Sequence, residues 1–237
     1  MTTTPNRKKI LTLFYSFSGQ TDGLLHRLHV GLEQKGHTVI CERILPVHTL
    51  RFPVGTLRGT LKMMLITFFR QGISIKEIST QCNDDFDLII LAGPTWSYNP
   101  SGPILSLINR DGSRLFNAKT ILPLISCRGY WRYHWRGLSR MLKKCGATLP
   151  NLMVFTHPAP EPWRTIGVFL KIAGITPKSS SMIGKFYKIY GHSKKQQDEA
   201  EHFGAMIGEA LSNDQSLSRL DFQTKTALHW YGWISGI

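Results

Sequence analysis

Short apolar runs alternate along the chain with longer segments in which apolar residues recur every three or four positions. Five apolar runs predict strands, at 10–15, 37–44, 86–93, 119–127 and 151–156. Helical periodicity occupies the intervals at about 19–35, 102–110, 131–145 and 193–211. The run 86–93 is apolar almost throughout, which is typical of a strand buried on both faces. Strands that alternate with helices predict an α/β fold, a parallel sheet with helices on both faces.

Two segments are longer than the connections that an alternation of strands and helices requires. Residues 45–84 separate the second and third predicted strands, and residues 157–192 separate the fifth strand from the last helix. Right-handed crossovers place all strand-to-helix loops along one edge of the sheet, so both segments are expected near that edge. We expect one domain over residues 1–237, with these two insertions and a C-terminal tail at 212–237.

Composition and charge limit the kinds of partner and the cellular location that can be expected. The 237 residues carry 29 Lys and Arg against 15 Asp and Glu, a net charge of +14 that attracts phosphates, nucleic acid or anionic lipid. No recognised nucleic-acid-binding module accompanies this charge. The four cysteines lack metal-ligand or disulfide-framework spacing. Because the N-terminus is polar and no apolar run reaches the roughly 20 residues of a spanning helix, we expect a cytoplasmic protein.

The stretch SFSGQT follows the first predicted strand and opens the first helix. Gly19 permits a tight turn there, and the hydroxyls of Ser16, Ser18 and Thr21 join the first amides of the helix. Amides, hydroxyls and the helix dipole together suit a phosphate dianion. The stretch is neither a Walker A loop nor a G-x-G-x-x-G turn. The alternative interpretation is a plain helix N-cap.

The loops after the third and fourth predicted strands carry flat side chains. The third strand ends in GPTWSYNP and the fourth in SCRGYWRYHWRG. Trp96 and Tyr98 in the first of these loops, and Tyr130 in the second, could stack on a planar ligand. For Trp96 the competing interpretation is packing in the core.

In their order along the chain, these three loops resemble the ligand loops of the flavodoxin-like superfamily. The first is similar to the pattern Ser/Thr-x-Thr/Ser-Gly-x-Thr, which holds the FMN phosphate without a lysine. The resemblance covers about residues 8–156 and resumes at the last helix. It implies a doubly wound, five-stranded parallel sheet of order 2-1-3-4-5, with the ligand at the switch point between strands one and three.

The resemblance also implies FMN as cofactor and a role for each loop. The phosphate is expected on Ser16, Ser18, Gly19, Gln20 and Thr21. The ring and ribityl chain are expected on Pro94, Thr95, Trp96 and Tyr98, and the opposite edge of the ring on Ser126, Gly129 and Tyr130. No residue is assigned as a catalytic acid or base, and no metal site is expected.

Three departures from classical flavodoxins favour an enzyme over a small electron carrier. The chain is basic where those carriers are acidic, it has two insertions, and Arg128 and Tyr130 occupy positions where carriers commonly have acidic or amide residues. We therefore expect an FMN-dependent oxidoreductase of a small or apolar, quinone- or lipid-like substrate, with electrons from NAD(P)H. Two alternatives stay open: a flavodoxin-type electron carrier, and a flavin-free, membrane-associated accessory or binding protein.

Basic residues mark the surface near this edge. Between Arg128 and Lys144 there are six basic residues and no acidic one. The spacing predicts Arg128, Arg132, Arg136 and Arg140 on one helical face, which suits the 2'-phosphate of NADPH, a substrate phosphate or a lipid headgroup. A solvated basic face is the alternative.

Segments 58–72 and 163–175 combine aromatic and aliphatic residues with flanking Lys and Arg, and neither contains an acid. We expect both beside the flavin, either as a cap or as a peripheral face for an anionic membrane. The sequence leaves that choice open, and it leaves homo-oligomerisation open as well.

Overall fold

A computed structural model of the chain describes residues 6–159, 162–175 and 191–222. Parts of the predicted insertion 157–192 and of the tail 212–237 lie outside the described residues. The strands are β1 (Lys9–Phe14), β2 (Thr38–Arg43), β3 (Leu88–Trp96), β4 (Asn99–Pro100), β5 (Ile121–Cys127) and β6 (Met153–Thr156). The helices are α1 (Gln20–Gln34), α2 (Leu57–Phe68), α3 (Gly102–Phe116), α4 (Trp131–Lys144), α5 (Trp163–Ile172) and α6 (Lys194–Ser212).

The main sheet contains five parallel strands in the order β2-β1-β3-β5-β6. The two-residue β4 folds back antiparallel on the end of β3, where Thr95 pairs with Pro100. When only the parallel strands are numbered, the order is 2-1-3-4-5, which confirms the predicted doubly wound topology. The order reverses between β1 and β3, so the loops that follow these two strands diverge and leave a crevice.

Each face of the sheet is covered by its own pair of helices. Alternate residues of one strand point to opposite faces, so Ile10 joins a core with α1 and α6, whereas Leu11 joins a core with α3 and α4. Helix α3 continues to Phe116, beyond the predicted end near residue 110, because Leu115 and Phe116 are buried in the second core.

Helices α1 and α6 approach each other at two glycines. A Cβ on Gly31 would lie 2.6 Å from the amide nitrogen of Ala205 and closer still to the carbonyl oxygen of Glu201. A Cβ on Gly204 would lie 2.9 Å from the carbonyl carbon of Leu28 and closer still to its oxygen. The two backbones are therefore in direct contact, which fixes the direction in which α1 leaves the carboxyl end of β1.

Helix α2 is held in place by polar contacts rather than by a buried apolar face. Its only buried residues are Thr60 and Thr67. The Asn99 amide donates to the carbonyl oxygens of Thr67 (3.0 Å) and Phe68 (3.2 Å), and the Arg70 Nε donates to Asn99 Oδ1 (2.8 Å). These bonds tie the carboxyl end of α2 to the turn between β3 and β4.

The two insertions also contact each other. The amide of Val54 donates to the carbonyl oxygen of Ile172 at the end of α5 (2.7 Å). Helices α2 and α5 therefore lie on the same side of the molecule, at the carboxyl edge of the sheet. In the part of the chain that the structure describes, no helix has both the length and the apolar character needed to cross a membrane.

Candidate functional site

The loop between β1 and α1 presents a row of free amides. Gly19 adopts the left-handed conformation (φ 80°) and is exposed, so the chain turns sharply before α1 begins at Gln20. The amides of residues 18–21 donate to no acceptor among the described residues. Amides at the positive end of a helix dipole attract an anion, and this loop offers them to a ligand.

Two side chains add to the positive potential of this loop. Ser16 Oγ accepts a hydrogen bond from the amide of Asp22 (3.3 Å), which leaves its own proton available to a ligand. The Arg43 guanidinium donates to the carbonyl oxygen of Ser16 (3.3 Å). A cation at the end of β2 therefore lies beside the predicted phosphate loop, a contact that the sequence analysis did not anticipate.

Two adjoining cavities lie above the carboxyl ends of β1, β3 and β5. The smaller, of about 100 Å³, is lined by eight of the predicted residues: Ser16, Ser18, Gln20, Thr21, Pro94, Thr95, Trp96 and Ser126. The larger, of about 240 Å³, is lined by Thr95 and Trp96 again and by Tyr98, Gly129 and Tyr130. The structure thus brings eleven of the twelve predicted residues together, and the twelfth, Gly19, forms the exposed turn beside them.

The aromatic residues take two different positions around these cavities. Trp96 is only 9% exposed and packs edge-to-face against Tyr15 (5.6 Å between centroids) and Phe17 (5.3 Å), so it forms an inner wall. Tyr98 and Tyr130 are about half exposed and lie 5.5 Å apart at the mouth of the larger cavity. Trp96 is therefore packed in the core and also lines both cavities, and its stacking on a planar ligand stays a prediction.

Backbone strain is concentrated at the same mouth. Ser97 (φ 44°), Tyr98 (φ 68°) and Tyr130 (φ 56°) all adopt positive φ, which is uncommon for residues other than glycine. Such conformations persist only where surrounding contacts hold them, and they cluster at ligand sites. Here the Ser97 hydroxyl donates to the carbonyl oxygen of Met64 in α2 (2.8 Å), one of the contacts that hold the turn.

Two neutral histidines, the buried His134 and the partly exposed His192, support two of the polar residues in the cavities. Thr95 Oγ1 is 2.7 Å from Nδ1 of His134, and Ser126 Oγ is 2.8 Å from Nε2 of His192. Burial lowers the pKa of His134 to about 3 and that of His192 to about 4. Both rings are therefore uncharged at neutral pH, so they orient hydroxyl groups without adding charge to the site.

The remaining ionisable groups make the site cationic. Arg128 lines both cavities, with its guanidinium 5.0 Å from the centroid of the Phe169 ring in α5. Burial raises the pKa of the Cys127 thiol to about 12, so this cysteine is a protonated wall residue rather than a nucleophile. Among the described residues, no group of three His, Cys, Asp or Glu side chains could hold a metal ion.

No protein-family model matches the sequence, and no curated protein matches it. Among solved structures, a candidate flavoprotein from Bacteroides eggerthii superposes with a TM-score of 0.50 at 15% identity, over 72% of this chain and 100% of its own. Together with the strand order and the crevice at its reversal, this similarity decides the fold. The chain has the flavodoxin-like fold.

Two further structures are similar at lower TM-scores. A flavoprotein in complex with FMN from Lactobacillus acidophilus gives 0.47 at 19% identity, over 62% of this chain and 93% of its own. A flavodoxin, WrbA-like protein from Agrobacterium tumefaciens gives 0.46 at 12% identity, over 88% of this chain and 99% of its own.

The position of Arg128 was predicted wrongly from the sequence. Helix α4 begins at Trp131, so Arg128 precedes the helix and does not share a face with Arg132, Arg136 and Arg140. Its backbone belongs to the loop after β5, and its side chain lies over Phe169 because the second insertion folds back onto that loop. A spacing argument holds only within one helix, and the helix predicted at 131–145 already left Arg128 outside.

Several cavity residues were not predicted. Phe17, Phe52, His157, Val168 and Ile172 all line the smaller cavity. Phe17 lies within the quoted loop and could have been included on that ground. The other four come from the insertions or from the end of β6, where no motif of the flavodoxin-like fold marks them.

The buried His134 is expected to make the protein sensitive to mild acid. Its folded pKa, about 3, lies below the ordinary 6.5, so between these values the unfolded chain binds a proton that the folded chain does not. The stabilising contribution is complete above pH 6.5 and falls by about 1.4 kcal/mol per pH unit as the pH drops toward 3.

Urea unfolding at pH 7.0 and 5.5 measures this contribution. We expect His134→Asn to lose less stability than the wild type between the two pH values. The control His202→Asn replaces an exposed histidine on α6, and its loss of stability should equal that of the wild type. An equal loss of stability in His134→Asn and the wild type would contradict the assignment.

Proposed function

We propose that the two cavities hold FMN and that the protein is an FMN-dependent oxidoreductase. The observation that carries the proposal is the convergence of the three predicted loops on one crevice, at the point where the strand order reverses. Ligands of doubly wound sheets bind at that point. The similarity to a candidate flavoprotein from Bacteroides eggerthii supports the same assignment.

The residues of the site fit the parts of FMN. Residues 16–21 offer amides and hydroxyls to the phosphate, and Arg43 adds a cation beside them. Together the two cavities reach the lower end of the size range of small-molecule sites, about 300–1,000 Å³. FMN, once bound, would supply hydride or single-electron transfer, chemistry that the protein's own side chains lack.

The chain's own residues would bind and orient the ring and exclude water from it. Thr95 and Ser126 are held by neutral histidines, so their hydroxyls are positioned for a planar heteroaromatic ligand. Trp96 forms the inner wall, and helices α2 and α5 form a roof over the larger cavity. No described side chain is placed as an obligatory proton donor or acceptor.

The lining of the larger cavity favours an apolar substrate. Leu61, Leu65 and Phe68 of α2 face Val168 and Phe169 of α5 across it. A quinone- or lipid-like acceptor matches such walls, and Arg128 offers a cation to the anionic part of NAD(P)H. An electron carrier is the second candidate, but the roof formed by α2 and α5 would limit the access of a protein partner to the ring edge. The third candidate is a flavin-free, membrane-associated accessory protein.

FMN titration followed by turnover separates these functions. We expect the purified protein to bind FMN with a Kd in the micromolar range or below, measured by quenching of flavin fluorescence. We then expect the FMN-loaded protein to oxidise NADPH or NADH in the presence of a short-chain quinone. Binding without turnover would favour the carrier, and no binding of added FMN would contradict both redox functions.

A further inference from the structure

Most of the large apolar side chains that are exposed in the described part of the chain belong to the elements around one opening. Twelve large apolar or aromatic side chains of the described residues are exposed, and ten belong to the elements around the larger cavity. Five lie on α2 and the residue after it, three are tyrosines at the mouth, and two lie on or just after α5. We call these ten residues the mouth surface. Exposed apolar side chains grouped on neighbouring elements indicate an interaction site rather than ordinary scatter.

Helix α2 displays the pattern most clearly. Leu57, Leu61, Leu65 and Phe68 recur at helical spacing and are 52–64% exposed. The last three line the larger cavity, so the face that forms its wall is also open to solvent in the part of the chain that the structure describes. Arg58 and Lys62 are also exposed and lie one position after Leu57 and Leu61, so a basic row runs beside the apolar row. Apolar and basic rows side by side are typical of helices that lie in a membrane interface.

The charge around the mouth surface has one sign. Residues 43–76 contain six Lys or Arg and no Asp or Glu, and residues 128–140, from the loop after β5 into α4, contain four Arg and no Asp or Glu. Acidic residues concentrate elsewhere: Asp84, Asp85 and Asp87 precede β3, at the opposite edge of the sheet, where they pair with Lys9, Lys119 and Lys8. The mouth surface is therefore cationic and apolar, whereas the opposite edge is electrically balanced.

We propose that the mouth surface docks on an anionic lipid bilayer. The apolar row gains free energy when it leaves water, and each basic residue near an anionic surface adds to the attraction. A second copy of the chain would bring two cationic faces together. A nucleic acid would leave the exposed leucines in water. Docking in this orientation would open the larger cavity toward the lipid; that consequence rests on the proposed function, but the docking itself does not.

Charge reversal on α2 tests the electrostatic half of the proposal. The full-length protein is mixed with vesicles of phosphatidylglycerol and phosphatidylcholine, or of phosphatidylcholine alone, and bound protein is measured by co-sedimentation. We expect binding to the anionic vesicles that weakens with salt and falls at least about tenfold in Arg58→Glu/Lys62→Glu. The control Lys143→Glu/Lys144→Glu lowers the net charge equally at the far end of α4 and should lose much less binding.

Substitution of apolar residues tests the other half. Leu57 and Phe69 are 64% and 69% exposed and line neither cavity of the site, so Leu57→Gln/Phe69→Gln should bind anionic vesicles several-fold more weakly without loss of FMN affinity. The control Leu45→Gln/Val47→Gln removes two exposed apolar residues that lie outside the mouth surface. Equal binding by all four variants, binding only to a DNA or RNA duplex, or dimerisation abolished by Leu57→Gln/Phe69→Gln would each overturn the proposal.

Discussion

Replacing Gly204 with alanine is expected to destabilise the protein by about 3 kcal/mol. The added methyl group would meet the carbonyl group of Leu28, which belongs to the backbone of α1 and cannot rotate away. Helices α1 and α6 would have to separate along their contact. Alanine is the better helix former by about 1 kcal/mol, but this gain is smaller than the cost of overpacking. Gly31→Ala should behave in the same way, because its methyl group would meet the backbone of α6.

Urea unfolding of three single variants and one double variant measures this contact. Gly23→Ala is the matched control. Gly23 lies on α1, as Gly31 does, and its added methyl group would meet only the Gln197 side chain at 4.0 Å. It should be neutral or stabilising by up to about 1 kcal/mol. Once the helices have separated, the second methyl group costs less, so Gly31→Ala/Gly204→Ala should lose less than the sum of the two single losses. A Gly204→Ala variant as stable as Gly23→Ala would contradict the close contact.

The centre of the parallel sheet was predictable because β1, β3 and β5 are buried apolar runs. Strand β3 is buried from Leu88 to Gly93, and a short apolar run with turn residues on either side is typical of a strand covered on both faces. The right-handed crossover rule then orders the loops without any information about contacts. For this reason the loops after β1, β3 and β5 could be assigned to one edge from the sequence alone.

The edge of the sheet at which α2 lies was predicted, but the contacts that hold it there could not be, because they are single polar contacts between distant residues. Asn99 binds two carbonyl groups at the end of α2, and its own oxygen accepts from Arg70. No periodicity marks such a residue in the sequence. His134 and Arg43 could not be predicted for the same reason. His134 contacts Thr95 and Arg43 contacts Ser16, and each pair joins two separate elements.

The two insertions relate the fold to the function proposed for it. A simple flavodoxin-like sheet ends at an open crevice, but here α2 and α5 add apolar walls to the crevice, and Leu61, Leu65 and Phe68 of that wall remain 52–57% exposed. A cap whose apolar lining continues to its open mouth suits a substrate that arrives from a lipid phase. The cap and the membrane face, which the sequence presented as alternatives, are formed by the same face of α2.

Replacing Ser18 with aspartate is expected to raise the Kd for FMN by at least about 100-fold while leaving the Kd for riboflavin nearly unchanged. Ser18 lines the smaller cavity beside the free amides that open α1. A carboxylate there would repel a phosphate group. The repulsion energy of two like unit charges 4 Å apart near a protein surface is about 4 kcal/mol. Riboflavin has the same ring without the phosphate, so the comparison isolates the loop from the rest of the site.

The fold should tolerate this change, because an acidic residue near the start of a helix interacts favourably with the helix dipole. The thermal midpoint of Ser18→Asp should therefore equal or exceed that of the wild type, which separates loss of binding from loss of structure. Ser18→Asn is the matched control: it has the same shape without the charge and should lose less than about tenfold in FMN affinity, roughly the worth of one hydrogen bond. If Ser18→Asp weakened FMN and riboflavin equally, the phosphate would lie elsewhere, and the assignment of residues 16–21 would fail.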